Sequence, residues 1–181
     1  LAIKGQPVVV DFGCGKGVAI SELADAGIKG KFYGISEKKY LDWNNRPNIS
    51  FIQSTATDFF RYFKDGSIDL LYSHAGIEHL AKALPEGFLA FSKVPEDYFS
   101  RMILKLKIGG KIVGEFHDLR VFIFAERDNA IKHANTFKNK EQIKMDYQRK
   151  LQSTALPGKV QFSNFAIVRT ISGTLYLIRT H

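Results

Sequence analysis

Short apolar runs alternate with amphipathic segments along much of the chain. Runs rich in β-branched and aromatic residues are typical of buried strands, whereas apolar residues three or four positions apart indicate a helix. Five strands are predicted on this basis, at residues 7–12, 29–36, 48–54, 67–74 and 111–116. Helical segments are predicted between them, at residues 17–27, 37–43, 56–63 and 95–110. This alternation of strands and helices indicates an α/β sheet whose strands are mostly parallel.

The remaining segments are less regular. Pro95 is a helix start signal and the glycine pair at 109–110 is a stop signal, and together they bound the last predicted helix. Residues 81–94 lack a clear period and are predicted as a loop with some helix, of a length often found in functional lids. Residues 126–151 are polar, basic and helix-compatible, and residues 159–181 form two β-rich runs joined by Ser-Gly, which predicts an antiparallel hairpin. Ligands of such a sheet are expected at the carboxyl ends of its strands.

Length and composition favour one globular domain over residues 1–181. The chain has 181 residues, of which 45% are hydrophobic and 24% charged. No apolar run approaches the ~18 residues of a membrane helix, and the first residues lack the apolar core of a signal peptide. The one cysteine, Cys14, excludes an internal disulfide and a multi-cysteine zinc site and fits a reducing compartment. We therefore expect a cytoplasmic protein without membrane insertion.

The net charge of +8 is unevenly distributed. Residues 101–181 contain 15 Lys and Arg against 6 Asp and Glu, whereas the first 100 residues are nearly neutral. A basic surface can attract nucleic acid or an acidic membrane surface. The same lysines could simply be solvated, because they alternate with other residues and do not form a tract.

The most informative stretch is VVVDFGCGKGVAI, residues 8–20, in which an acid and three alternating glycines follow a β-branched run. A phosphate-binding P-loop requires G-x-x-x-x-G-K-[ST], and this spacing does not occur in the chain. The dinucleotide motif G-x-G-x-x-G is not matched either, because Val18 stands where the third glycine belongs. The negative charge of Asp11 would repel a pyrophosphate but could accept hydrogen bonds from a cationic or hydroxyl-bearing ligand.

The pattern D-x-G-x-G-x-G after a hydrophobic strand resembles motif I of the class I methyltransferases, which use S-adenosylmethionine. The resemblance implies a Rossmann-like, seven-stranded, mostly parallel sheet with helices on both faces and a C-terminal antiparallel hairpin. It also implies that glycines let the backbone approach the amino-acid part of the cofactor while the acid orients its ammonium group. The residues that match these roles are Asp11, Gly13, Cys14 through its backbone, and Gly15.

The resemblance continues downstream. KFYGIS, NISFIQSTATDF and SIDLLYSHAGIEHL look like the family's second, third and fourth strands with their loops, and LKIGGKIVGEF resembles its turn into the fifth strand. The family's leading helix is expected to be absent, because seven residues precede Val8.

Two positions depart from the family pattern. Ser36 stands where the family usually has an acid that binds the ribose hydroxyls, and the adjacent Glu37 could either take this role or serve as a solvent-facing acid at a helix N-terminus. At the end of the third strand, Ser54-Thr55-Ala56 stands where the family usually has G-D-A, so Thr55 replaces the acid that meets the adenine amino group. Asp58 is the nearest carboxylate, and it could either bind adenine or cap the following helix.

Methyl transfer from a sulfonium depends mainly on placement, and a base is needed only when the acceptor must lose a proton. The candidate catalytic residues follow the fourth and fifth strands: His74, with Ser73 beside it contributing its backbone to the cofactor site, and His117 with Asp118. Other polar residues in the same two loops are Glu78, His79 and Glu115. The spacing of the histidines does not match H-E-x-x-H, so no metal is expected.

The residues leave the methyl acceptor open. A small molecule or a protein side chain is favoured, and RNA is an alternative supported by the basic second half of the chain. A methyltransferase-like module that binds ligand without turnover is a further alternative, because two acids are displaced. Phe88, Phe91 and Tyr98 could stack on a planar acceptor, although we favour a role in the core.

Overall fold

A central mixed sheet organises the chain. The structure is a computed structural model, and it describes residues 5–74, 76–77, 81–83, 89–91, 97–114 and 120–181. The strands in chain order are β1 Val8–Phe12, β2 Lys31–Ser36, β3 Ile49–Gln53, β4 Ile68–Ser73, β5 Ala81–Ala83, β6 Leu89–Phe91, β7 Leu106–Gly114, β8 Gly158–Gln161, β9 Phe165–Arg169 and β10 Leu175–Arg179. In the described part of the chain the central sheet has eight of these strands, in the order β3-β2-β1-β4-β7-β10-β9-β8. The helices are α1 Val18–Asp25, α2 Tyr98–Lys105, α3 Arg120–Lys132 and α4 Phe137–Ser153, with a 3-10 turn at Phe59–Arg61.

The five predicted parallel strands are confirmed. β3, β2, β1, β4 and β7 pair in parallel, with Asp11 of β1 opposite Gly34 of β2 and Tyr72 of β4. The C-terminal hairpin is also confirmed, because β9 and β10 pair antiparallel and β10 joins the sheet along β7. The sheet has one strand more than the seven expected, since β8 adds itself antiparallel to β9 at the edge.

Helices cover both faces of the sheet, as predicted. On one face α1 packs over a small cluster formed by Val9, Ile20, Phe32 and Ile49. The larger cluster on the other face combines residues of β1, β4 and β7 with the buried side chains of α2 and α3. Tyr98 and Phe99 at the start of α2 are fully or almost fully buried there, so Tyr98 belongs to the core and not to a stacking surface.

Three element predictions are wrong. Residues 37–43 do not form a helix, and they belong instead to an irregular connection between β2 and β3. α2 ends at Lys105, before the glycine pair, because Leu106 is already extended and paired with β4. The glycines at 109–110 lie within an irregular stretch of the β4–β7 ladder. In the described part of residues 81–94, β5 and β6 form a two-stranded antiparallel sheet and not a helix.

The helix-compatible region at 126–151 forms the end of α3 and most of α4. α4 begins after Thr136, whose hydroxyl accepts a hydrogen bond from the Asn139 N–H at 3.2 Å and caps the helix. Glu126 ties α3 to the turn between β8 and β9, because its carboxylate accepts hydrogen bonds from both the N–H and the hydroxyl of Ser163. Among the described residues, no helix is both long enough and apolar enough to cross a bilayer.

Candidate functional site

The glycine loop, residues 13–17, lies at the carboxyl end of β1. Gly13, Gly15 and Gly17 all adopt left-handed conformations, with φ of +85°, +51° and +78°. The N–H groups of Gly13 and Cys14 both donate to the carbonyl oxygen of Ile35 in β2, each at 2.9 Å. The N–H of Gly17 donates to the carbonyl of Cys14 at 2.8 Å, which closes the turn before α1 begins.

Two of these glycines are also required by close packing. A Cβ on Gly13 would lie 2.7 Å from the Cα of Gly76, in the turn after β4. A Cβ on Gly17 would overlap the ring of Phe51. Left-handed backbone together with these approaches leaves no room for a side chain at Gly13 or Gly17, so the loop presents bare backbone at these two positions.

Asp11 lies under this loop and is almost fully buried, with 4% of its surface exposed. Burial raises the pKa of its carboxyl from 3.8 to about 6, and a positive charge on the neighbouring His74 partly opposes this shift. A buried carboxylate is stabilised when a cation binds beside it. The residues present therefore fit a ligand that brings a positive group to the glycine loop.

A cleft of about 320 Å³ opens beside Asp11. It brings together four of the predicted residues, Asp11, Gly13, Cys14 and His74. Four further residues that the sequence analysis missed also line it: Val18, Ala19, Glu22 and Tyr72. The first three lie on α1 directly after the glycine loop, and Tyr72 stands opposite Asp11 on the adjacent strand.

The side chain of Cys14 has no role as a nucleophile in this arrangement. Burial, reinforced by the negative charge of Asp11, raises the pKa of its thiol to about 12, so the sulfur stays protonated at neutral pH. The backbone N–H of Cys14 is bonded within the fold, to the Ile35 carbonyl, and a contact of its backbone with the cofactor stays a prediction.

Ser73 ends β4, next to His74 of the cleft. Its buried hydroxyl donates to the carbonyl of Phe12 at 3.0 Å and accepts from the N–H of Ile77 at 3.0 Å. Both hydrogen bonds are made within the protein, so the Ser73 side chain joins the ends of β1 and β4 to the turn that contains Ile77. Any ligand contact of Ser73 falls to its backbone.

Ser36 and Glu37 lie at the end of β2, beside the end of β3. The carbonyl of Ser36 accepts from the N–H of Ser54 at 3.0 Å, and the carbonyl of Glu37 accepts from the Gln53 amide at 3.2 Å. The Glu37 side chain is exposed at this edge. Because residue 37 begins no helix, the expectation of a helix N-terminus acid is wrong.

Thr55, Ala56 and Asp58 form a turn after β3. The Thr55 hydroxyl donates to the Asp58 carboxylate at 2.9 Å, while Arg61 approaches the other carboxylate oxygen at 3.2 Å. Asp58 precedes the 3-10 turn but does not cap it through its side chain. The carbonyl of Ala56 accepts a 2.7 Å hydrogen bond from the buried Tyr98 hydroxyl, which fixes this turn to the core.

Several predicted residues lie outside the described part of the chain. They are His117 and Asp118, with Glu78, His79, Glu115 and Phe88, while the side chain of Phe91 is likewise not described. Within the described residues, no group of three or more His, Cys, Asp or Glu side chains is arranged to hold a metal ion.

Comparisons with known proteins agree with this geometry. A family model described as a methyltransferase domain matches residues 10–113, from β1 through most of β7. A search of curated proteins found no match. The matched span contains Asp11, the glycine loop and the carboxyl ends of β1, β2, β3 and β4.

Solved structures resemble the chain at low identity. A Haloferax volcanii protein described as a methyltransferase, solved with its Trm112 activator, is 15% identical with a TM-score of 0.52, over 100% of this chain and 86% of that one. A Haemonchus contortus phosphoethanolamine N-methyltransferase in complex with S-adenosylmethionine is 13% identical with a TM-score of 0.49, over 99% and 50%. An S-adenosylmethionine-dependent methyltransferase from Archaeoglobus fulgidus is 23% identical with a TM-score of 0.44, over 61% and 44%.

This chain spans half or less of the Haemonchus and Archaeoglobus proteins, but most of the Haloferax one. The likeness to the Haloferax structure supports the fold. The match of the family model covers more than half of the chain and includes the motif at the end of β1. The chain therefore belongs to the class I family of S-adenosylmethionine-dependent methyltransferases.

Proposed function

We propose that this protein binds S-adenosylmethionine at the carboxyl edge of β1, β2 and β4 and transfers its methyl group to an acceptor. The observation that carries the proposal is Asp11, a buried carboxylate that lies beneath three left-handed glycines and faces an open cleft. S-adenosylmethionine supplies a methyl group on a sulfonium, which is its own leaving group, and an ammonium group that a carboxylate can hold.

The described residues suggest which part of the cofactor each strand end would contact. The glycine loop and Asp11 would hold the amino-acid end, where backbone can approach closely. Glu37 at the end of β2 would accept hydrogen bonds from the ribose hydroxyls, since its carboxylate is exposed and offers two oxygens. The turn of Thr55 to Asp58 would lie against the adenine, with Asp58 as the acceptor for its amino group.

Catalysis would depend chiefly on placing the acceptor in line with the methyl group. His74 lines the same cleft as Asp11 and is exposed, so its imidazole could take a proton from the acceptor. We propose that His117 and Asp118 complete this machinery from the loop after β7. The cleft has the size of a small-molecule site. We favour a small molecule or a protein side chain as the acceptor. We also propose a cytoplasmic location, with which the free Cys14 is consistent.

Calorimetric titration with S-adenosylmethionine tests the binding step. The parent should bind, and Asp11→Ala should abolish binding because the ammonium loses its acceptor. Asp42→Ala, which removes an exposed carboxylate outside the cleft, serves as the matched control and should bind like the parent. Absence of heat from the parent at high micromolar cofactor would refute the proposal.

Transfer itself is tested with a methyl-labelled cofactor against panels of small molecules, proteins and RNA. His74→Gln and His117→Ala should retain cofactor binding and lower turnover. Binding without label transfer to any panel would favour the alternative of a module that holds ligand without turnover.

RNA is a second candidate acceptor, supported by the excess of basic residues in 101–181. Part of this charge is neutralised within the chain, because Lys144 and Arg149 of α4 pair with Glu141 and Asp146. If RNA binds there, its dissociation constant should rise steeply with salt as counterions are released. A salt-independent constant would contradict this candidate.

A further inference from the structure

The irregular segment of residues 37–48 between β2 and β3 carries the chain's only tryptophan. The indole N–H of Trp43 donates to the carbonyl oxygen of Gly15 at 2.8 Å, across 28 positions of sequence. Gly15 is the middle glycine of the glycine loop, so a side chain outside the family motif contacts the motif directly.

The indole is held in place by other aromatic rings. Trp43 stacks on Phe51 of β3 with ring centroids 5.3 Å apart and planes 13° apart, and Tyr40 lies 6.0 Å away. Phe51 itself is wedged against Gly17 and Gly34, where a Cβ on either glycine would clash with its ring. The N–H of Trp43 is therefore aimed at the loop by packing on both β2 and β3.

The acceptor carbonyl of Gly15 has two donors, the Trp43 indole at 2.8 Å and the neighbouring Cys14 thiol at 3.7 Å, of which the thiol is the weaker donor. A glycine can adopt alternative backbone orientations at little cost, and Gly15 has open space where its Cβ would lie. In a trans peptide the carbonyl of Gly15 and the N–H of Lys16 point in opposite directions. Fixing the carbonyl on Trp43 therefore also fixes the direction in which the next N–H points.

We propose that Trp43 is a positioning residue that selects the conformation of the glycine loop and thereby sets its affinity for the cofactor. This inference rests on the proposed function. The same segment begins with Glu37, next to the end of β2, so one indole links the ribose side of the site to its amino-acid side.

The test compares Trp43→Phe with the parent and with Asp42→Ala. Phenylalanine keeps a ring to stack on Phe51 but lacks the N–H donor. Asp42→Ala removes another contact between this segment and the loop, an exposed 3.9 Å ion pair with Lys16, and should change little. The measurements are hydrogen exchange of the amides at 15–17 without cofactor, and calorimetric binding of S-adenosylhomocysteine.

In Trp43→Phe these amides should exchange faster, and S-adenosylhomocysteine should bind about 3- to 10-fold more weakly, the factor expected for one net hydrogen bond. Parent-like exchange or parent-like affinity in this variant would overturn the proposal. If the parent does not bind S-adenosylhomocysteine, the proposed function fails, and exchange in the free protein still decides whether Trp43 fixes the loop.

A second measurement needs no variant. Because Trp43 is the only tryptophan, the tryptophan emission of the parent reports on the surroundings of this one indole. Emission should change along the same saturation curve as the heat of binding. Binding heat without any change in emission would contradict the link between the indole and the loop.

Discussion

Replacing Asp11 with asparagine should make the cofactor-free protein more stable while removing its ability to hold a cation. The carboxyl is 4% exposed and its pKa is raised from 3.8 to about 6, so the folded protein binds this proton more tightly than the unfolded chain. Stability contributed by the group is therefore lost as pH rises from about 4 to about 6, and the penalty is complete above that range. A shift of this size corresponds to about 3 kcal/mol.

Asparagine has nearly the same shape but no charge to bury. The free energy of unfolding of Asp11→Asn should exceed that of the parent by up to about 3 kcal/mol at pH 8, and by only about 1 kcal/mol at pH 4.5. Urea unfolding of both proteins at the two pH values, without cofactor, measures the difference.

Asp69→Asn is the matched control, because this carboxylate is well paired. It accepts hydrogen bonds from the Val8 N–H at 2.8 Å and from the Lys107 ammonium at 2.7 Å. The variant should lose about 1–2 kcal/mol of stability. The reasoning on Asp11 would be refuted if Asp11→Asn were no more stable than the parent at pH 8, or if its advantage did not grow with pH.

Three further substitutions test the framework of the site by urea unfolding. Gly13→Ala should cost at least about 2 kcal/mol, because the residue is left-handed and a Cβ would meet backbone at 2.7 Å; a parent-like free energy would show that the loop can adjust. Glu126→Ala should cost about 2–3 kcal/mol, since it leaves the N–H and hydroxyl of Ser163 without their acceptor; an unchanged midpoint would argue against this tie between α3 and the β8–β9 turn. Tyr98→Phe should cost about 1–2 kcal/mol through the lost bond to the Ala56 carbonyl, and no loss would mean that the bond contributes nothing net.

The sequence pattern predicts the structure correctly where neighbouring residues determine it. The β-branched run from Val8 to Val10 favours a strand, and the left-handed positions of the loop that follows favour glycine. The acid and glycines at the end of β1 could therefore be assigned to one site from the sequence.

Where contacts distant in sequence decide the structure, the pattern was misleading. Residues 37–43 have the apolar spacing of a helix, but Leu41 is fully exposed and Trp43 is held by Phe51 and Gly15 instead. The end of α2 is likewise set by pairing of Leu106 with β4, which outweighs the stop signal of the later glycines.

The cleft was only partly predictable for the same reason. Tyr72 faces it because β1 and β4 pair with Asp11 opposite Tyr72, and this register cannot be read from either strand alone. Val18 and Glu22 lie four residues apart at the start of α1, a spacing that places them on one helix face. That spacing could have indicated both residues once the loop had been assigned.

The most direct test of the central claim is the pH dependence of S-adenosylhomocysteine binding. Its ammonium requires an ionised Asp11, so the dissociation constant of the parent should be constant above pH 7 and rise about tenfold per pH unit well below the pKa of about 6. Asp11→Asn should bind weakly without this dependence. His74→Gln should retain it, because the Asp11 carboxyl is still present in that variant. Affinity independent of pH in the parent, or parent-like affinity in Asp11→Asn, would contradict the account.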